Sequence, residues 1–306
     1  MPLTTTKEML KAAQKGKFAV GAFNANNMEM VQAIVEAATE EHAPVILQVS
    51  QGAIRYAGMA FAAGLVKIAA ANTDVPVALH LDHGTDFDQN VLCLREGFTS
   101  LMFDGSSLPL EENIVISRRV CDIAHICGIP VETELGKVLK RGATPQEVQD
   151  AMAKPEEAER FIEDTQADSL AIAIGSVHAL LSQAAELDIE RLKAIRDAIP
   201  DTPLVLHGAS GVLEDSVAES IQYGICKVNV ATYLSQAFTY ALFDSLKANP
   251  DVEDPRQHLV PAREAAKERV RAKIRLFGSN GTIKSGGGFR SPPTQHRVAD
   301  IGEAED

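Results

Sequence analysis

His83, His178 and His207 each follow a short apolar run. Three neutral imidazoles brought to one point bind a divalent metal such as Zn2+ and leave one or two positions open for substrate. Asp82 directly precedes His83. A carboxylate there lies beside the cation without having to bind it. It can take a proton from a substrate hydroxyl while the metal polarises a neighbouring carbonyl, or it can orient a histidine from behind. Glu132 and Glu134 fall on one side of a single extended run. Glu134, nearer the end, is the candidate alternate ligand, and Glu132 is placed to hold a ligand in position. Asp104 ends another run and can either bind a second cation or fix a loop.

Asn24, Ser50 and Asn229 end three further runs with polar groups. The segments His207-Gly208-Ala209-Ser210-Gly211 and Asn229-Val230-Ala231-Thr232 are built of small residues that expose backbone amides. Ser210 and Thr232 add hydroxyl donors, and amides of this kind beside a helix start bind phosphate. Lys227 could form a Schiff base with a ketose, but alternation sets it one step below Asn229, and the three histidines argue for metal chemistry instead. His80 shares the face of Asp82 but lies deeper, as a packed supporting residue. Surface roles are expected for His42, His125, His258 and His296.

These groups need elements that bring them to one place. Eight apolar runs, 19–24, 44–50, 76–82, 98–104, 129–134, 169–174, 203–207 and 225–229, alternate with amphipathic stretches. The runs are rich in Val, Ile and Leu, as strands covered on both faces should be. The spacing predicts helices over 27–41, 111–127, 155–165, 188–198 and 213–223, with Asp188 and Pro155 as start signals. Eight such units form an α/β fold of the (β/α)8 TIM-barrel type, in which residues at the carboxyl ends of the strands face the active site. A helix over 4–15 would cap the bottom, and two additional C-terminal helices are expected over 232–247 and 261–277. The barrel is expected over 1–279. Residues 280–306, with three consecutive glycines, Pro292-Pro293 and an acidic finish, read as a disordered tail.

The chain has 306 residues with 42 acidic and 29 basic side chains, a net charge of −13. That excess argues against nucleic acid or an anionic membrane as partner. The four cysteines form no CxxC pair, no leader is legible in 1–17, and no apolar run reaches the roughly 18 residues a membrane span needs. A cytoplasmic protein with reduced thiols is expected. Positive charge for an anionic substrate must then come from a metal, from amides and from a few local cations.

The segments GAFN (21–24), LHLDHG (79–84), DGS (104–106), VETELG (131–136), AIGSVH (173–178), LVLHGASG (204–211) and KVNVAT (227–232) together resemble the class II, metal-dependent ketose-bisphosphate aldolases. The DPR, PAREA and KIRLFGS segments further on match as well, so the resemblance runs from Pro2 to about Ser279. It implies reversible cleavage of a ketose bisphosphate to dihydroxyacetone phosphate and an aldehyde. It further implies one Zn2+ per subunit on His83, His178 and His207, with Glu134 as alternate ligand and Asp82 as acid/base on the C4 hydroxyl. Gly208, Ser210, Asn229 and Thr232 would hold the dihydroxyacetone-phosphate end and Ser50 the opposite phosphate, in a homodimer or homotetramer.

Two departures stand out. Where the family usually continues ELG with Gly-Gly and an acidic pair, this chain has Gly136-Lys137-Val138-Leu139-Lys140-Arg141-Gly142. Lys137, Lys140 and Arg141 could meet an anionic group at the far end of an altered ketose phosphate, such as a sulfonated sugar, or form a solvated basic loop. Glu147 is the nearest replacement acid. Ala179 follows His178 in place of the commoner glycine, and Leu181 stands near where an aromatic is usual, which bears on phosphate or monovalent-cation binding there. A metal-dependent sugar-phosphate isomerase or epimerase shares the barrel and the metal, and a non-catalytic binding protein could retain the fold.

Overall fold

All eight apolar runs become parallel strands: β1 (Val20–Asn24), β2 (Val45–Ser50), β3 (Val77–Asp82), β4 (Leu101–Phe103), β5 (Val131–Leu135), β6 (Ser169–Ile172), β7 (Leu204–Leu206) and β8 (Ile225–Val230). The protein is described by a computed structural model over residues 3–178, 185–284 and 287–289. Hydrogen bonding follows the order β3-β2-β1-β8-β7-β6-β5-β4. The remaining seam, between β3 and β4, is joined by bridges at His80/Ser100 and Gly84/Phe103, with Leu81 N–H donating to the Ser100 carbonyl at 3.1 Å. The sheet therefore closes as a (β/α)8 TIM barrel.

Strand alternation sorts the residues into two cores. Val45, Leu47, Val49, Leu79 and Leu81 face outward into the layer shared with the helices. Val20, Ala22, Ile46 and Ala78 face inward and pack on Met9, Leu10 and Ala13 of α1 (Thr6–Gly16), which plugs the bottom as expected. Above this apolar plug the inward positions turn polar, and that gradient creates the site.

The helices between strands are α2 (Met28–Glu40), α3 (Gln51–Ala57), α4 (Met59–Ala71), α5 (Phe87–Glu96), α6 (Leu110–Ile126), α7 (Pro145–Asp150), α8 (Pro155–Thr165), α9 (Ile189–Ala198) and α10 (Glu214–Gln222). Asp188 caps α9 by accepting from Arg191 N–H at 2.9 Å, and Pro155 opens α8. No single described helix is long and apolar enough to cross a membrane, and the apolar pair α3–α4 is bent by 102°.

Two boundaries differ from expectation. After α11 (Thr232–Ala248), the last helix α12 runs Pro255–Leu276 rather than from Pro261. Asp254 caps it, accepting from Arg256 N–H at 3.0 Å. Pro261 is carried inside the helix, where it removes only its own donor. Beyond Ser279, Gly281 and Ile283 donate to the carbonyls of Glu41 (2.7 Å) and His42 (3.0 Å), and Ile283 is buried. Packed chain thus continues past the composition boundary; 285–286 and 290–306, including His296, lie outside the described residues.

Candidate active site

β3 delivers two site residues in succession, which a regular strand would send to opposite faces. Asp82 is the last inward residue. His83 follows with φ +51°, a left-handed conformation uncommon outside glycine, and this break in the pleat turns its ring into the mouth. His178 comes from the loop after β6, and His207 directly follows β7. The three ring centroids lie 4.7, 5.2 and 6.2 Å apart, and one nitrogen of each ring lies within 4.8 Å of the others.

Carboxylates behind the rings decide which nitrogens face inward. Asp104 Oδ2 pairs with His83 Nδ1 at 2.6 Å, and Glu132 Oε1 with His207 Nε2 at 2.8 Å. His83 Nε2 and His207 Nδ1 are left facing each other at 3.2 Å. Two tetrahedral zinc ligands at about 2.0–2.1 Å from the metal would stand about 3.3 Å apart. Glu134 Oε1 accepts from Val138 N–H. Its Oε2, 3.8 Å from His207 Nδ1, is buried without a hydrogen-bond partner. An orphaned carboxylate oxygen beside converging imidazole nitrogens fits a divalent cation.

The charge balance agrees. Burial opposes a charged His83, but Asp82, Asp104 and Glu134 outweigh it and raise its pKa to about 10; the surrounding carboxylates call for positive charge at this point. Burial and the neighbouring His83 push His178 down to about 4 and His207 well below its usual value. Burial, then the Asp104 charge, raises Glu134 to about 8. Asp104 is held low despite burial by its bond to His83. Its Oδ1 accepts from Ser106 N–H at 3.1 Å, so Asp104 both orients a candidate ligand and fixes its loop.

Beneath the mouth runs a buried polar layer. Lys227 Nζ donates to Glu132 Oε2 at 2.7 Å and lies 3.3 Å from His80 Nε2. Burial, reinforced by Lys227, keeps His80 neutral, and its Nδ1 meets Ser100 Oγ at 2.8 Å. Lys227 is fully buried and committed to Glu132 and His80. That leaves it a positioning group for His207 rather than a nucleophile open to a ketose.

Two cavities flank the histidines. The smaller, about 180 Å³, is lined by Asn24, Gln48, Asp82, Gly208, Ser210, Asn229, Thr232 and the rings of His83 and His178. Asn229 Nδ2 donates to Asp82 Oδ1 at 3.3 Å, and Gln48 Nε2 donates to Asn24 Oδ1 at 2.6 Å. The free Oδ1 of Asn229 and Oε1 of Gln48 are buried and unpartnered. Ser210 and Thr232 meet at the N-terminus of α11, where Tyr233 N–H points to Ser210 Oγ. Gly208 holds φ +67°, where a Cβ would be strained and would crowd the Val177 backbone at 3.2 Å. The larger cavity, about 640 Å³, adds Asp104, Ser106, Ser107, Glu134, Lys137, Val138, Leu139 and Lys140.

Some expected residues lie elsewhere. Ser50 Oγ caps α3, accepting from Ala53 N–H at 3.2 Å, and Ser50 lines neither cavity. Arg141 lies on the basic loop, but outside the cavity lining. Glu147 closes a capping box on α7, where Thr144 N–H and Oγ donate to its carboxylate at 2.7 and 2.8 Å; it faces a separate surface hollow. His258 is buried between Ser245 Oγ and the Val252 carbonyl, contrary to the expected surface role. Ala179 and Leu181 lie outside the described residues. Gln48 was not anticipated, although an amide within the apolar run 45–50, on the side of Ser50, was a usable signal.

The class-II fructose-bisphosphate aldolase family pattern matches residues 4–282. The fructose-bisphosphate aldolase of Staphylococcus epidermidis is 43% identical over 291 residues, covering 93% of this chain and 100% of the relative. That of Geobacillus stearothermophilus is 43% identical over 286 residues, 92% and 99% of the two chains. The crystal structure of the YdjI aldolase from Escherichia coli K12 superposes with a TM-score of 0.79 at 35% identity, covering 91% of this chain and 98% of that one. Membership implies a divalent metal, and the donor set fits one. The chain belongs to the class-II fructose-bisphosphate aldolase family and is a carbon–carbon lyase of that class.

Proposed function

We propose that the protein reversibly cleaves fructose 1,6-bisphosphate, or a ketose bisphosphate of the same form, to dihydroxyacetone phosphate and glyceraldehyde 3-phosphate, with zinc on His83, His178 and His207. The carrying observation is the facing pair His83 Nε2 and His207 Nδ1, with Asp82 Oδ1 3.9 Å from His83 Nε2. When bound, the cation withdraws electrons from the ketose oxygens and so stabilises the charge that develops at C3.

The protein's own groups do the rest. Asp82, oriented by Asn229, takes the proton of the C4 hydroxyl. The O–H electrons become the aldehyde carbonyl, the C3–C4 bond breaks, and its electron pair passes to the triose-phosphate half. A proton taken up from solvent at C3 gives dihydroxyacetone phosphate, and Asp82 returns the C4 hydroxyl proton to solvent, which restores the starting protonation state. Gly208, Ser210 and Thr232, at the N-terminus of α11, supply amides and hydroxyls for the phosphate of that half. Asn24 and Gln48 close the same cavity. Glu134, whose Oε2 is unpartnered beside His207, would be the alternate ligand.

Triose-phosphate release from fructose 1,6-bisphosphate and from tagatose 1,6-bisphosphate, measured with metal content on the same sample, tests this reading. Ketose interconversion without a cleavage product would replace it by an isomerase or epimerase, and full activity after exhaustive chelation would remove the metal role. We further infer a cytoplasmic homo-oligomer. Four free cysteines support the reducing compartment, and exposed Tyr240, Phe243 and Leu246 on α11 support self-association. Sedimentation would read the oligomer directly.

A further inference from the structure

Lys137 and Lys140 line the larger cavity, yet neither lies within ion-pair distance of any described carboxylate. Lys11, Lys15, Lys17, Lys247 and Lys284 also have no ion pair among the described residues, but of these unpaired lysines Lys137 and Lys140 are the two that line the cavity beside the histidines. Of the acids that share the cavity, Asp104 bonds His83 and Ser106, while Glu134 is buried among the histidines with one oxygen accepting from Val138 N–H, and neither forms an ion pair with Lys137 or Lys140.

The loop that carries these lysines is strapped down. Gly136, at φ +72°, packs so closely on Ala153 that a Cβ would not fit. Lys137 N–H donates to the Ala151 carbonyl at 2.8 Å. His178 N–H donates to the Leu139 carbonyl at 2.8 Å, and Arg141 N–H returns a bond to the His178 carbonyl at 3.1 Å. Lys140 therefore sits on a short parallel bridge with a candidate metal ligand. Its position relative to the histidines is set by main chain, and only the side chain beyond Cα is free to reach. Ser106 and Ser107 bring hydroxyls into the same cavity, and Val138 and Leu139 give it an apolar lining for a carbon chain.

We propose that Lys137 and Lys140 form a cationic clamp for a terminal phosphate on the aldehyde half of the substrate, and so set aldehyde specificity. This rests on the aldol reading above. Two ammonium groups match a phosphate monoester of charge about −1.5 to −2 at pH 7. They line a different cavity from the one that, on the proposed reading, takes the triose-phosphate half, and that smaller cavity has no cationic lysine or arginine in its lining. Ser50, the residue the resemblance offers for this phosphate, caps α3 with an oxygen that still carries a donor proton, and it does not line the cavity that holds the two lysines.

The test is the condensation reaction of dihydroxyacetone phosphate with glyceraldehyde 3-phosphate, with neutral glyceraldehyde and with a carboxylate-terminated aldehyde. Wild type should prefer the phosphorylated aldehyde. Lys137→Ala and Lys140→Ala should each lower the kcat/KM ratio of phosphorylated to neutral aldehyde about tenfold. The double variant should lower it further, and Lys140→Arg should retain it within about threefold. The KM for dihydroxyacetone phosphate should not follow these changes. Both side chains are exposed, so circular dichroism should show folded variants. A ratio unchanged in the double variant, or a wild type indifferent to aldehyde charge, overturns the clamp. Preference for the carboxylate-terminated aldehyde overturns the phosphate assignment. If no aldehyde gives a product, the reaction assignment fails instead. Calorimetric binding of glyceraldehyde 3-phosphate with saturating dihydroxyacetone phosphate then reads the clamp alone: about tenfold weakening per lysine supports it, and no change overturns it.

Discussion

The two sides of the barrel mouth are built from different materials. The smaller cavity is walled by neutral amides and hydroxyls, Asn24, Gln48, Ser210, Asn229 and Thr232, with Asp82 the one carboxylate. All but Ser210 are carried on strands β1, β2, β3 and β8 or the first turn of α11. The larger cavity takes its cations from a loop, at Lys137 and Lys140. Neutral donors on rigid elements suit a group bound the same way in every turnover. Loop-borne charge can change from one relative to another without disturbing the barrel. On the proposed reaction, one side would serve the common half of the substrate and the other the variable half, with His83 and His178 lining both cavities.

The largest expected effects fall at the boundary, where both halves depend on the same groups. Asp82→Asn should lower kcat about 10³-fold with either aldehyde, and His207→Ala should lose both metal and turnover. Steady-state kinetics paired with metal analysis distinguishes the two variants, since Asp82→Asn should retain its metal. A variant retaining most of wild-type kcat would remove Asp82 as the base.

Glu132→Gln comes next. It leaves the histidine ring in place but weakens the acceptor behind His207 and leaves Lys227 buried beside a neutral amide. Metal affinity, measured by chelator competition, should fall by about 10–100-fold, together with a loss of stability from the unpaired ammonium. Unaltered affinity would show that the buried layer packs the barrel without tuning the ligand.

The two cavities should then separate. Asn229→Ala should raise the KM for dihydroxyacetone phosphate about tenfold, as a buried amide with a free oxygen is lost, while leaving the preference between charged and neutral aldehydes intact. Loss of aldehyde discrimination in this variant would break the division of labour. The smallest effect belongs to Thr144→Ala, which removes the α7 cap for about 1 kcal/mol. Amide exchange in α7 should rise about fivefold with no change at the smaller cavity.

Much of this arrangement was legible from residue order. The eight runs of Val, Ile and Leu appear as strands at nearly their expected places, because a strand covered on both faces must be apolar throughout. The shifts are local: the run expected over 98–104 keeps regular pairing only at Leu101–Phe103, with Thr99 and Ser100 bonded instead to the Leu79 carbonyl. α12 starts at its Asp254-Pro255 signal rather than at the later proline. Short α7 was not anticipated, since six residues carry too little periodicity to read.

What the sequence determined by itself was the barrel and the chemistry of its mouth: which residue types end the strands, and which faces alternation gives to Asp82, Glu132, Glu134 and Asn229. Tertiary structure decided how those groups combine. The left-handed turn at His83, the capping use of Ser50 and Glu147, and the insertion of Gln48 among the site donors depend on side-chain directions where regular alternation ends or partners are distant. The chain Lys227–Glu132–His207 joins β8, β5 and the end of β7, and the basic loop is bonded to His178 across some 40 residues of sequence. Periodicity fixes the face of a residue within one element. Only closure of the barrel fixes which residue of another element it meets.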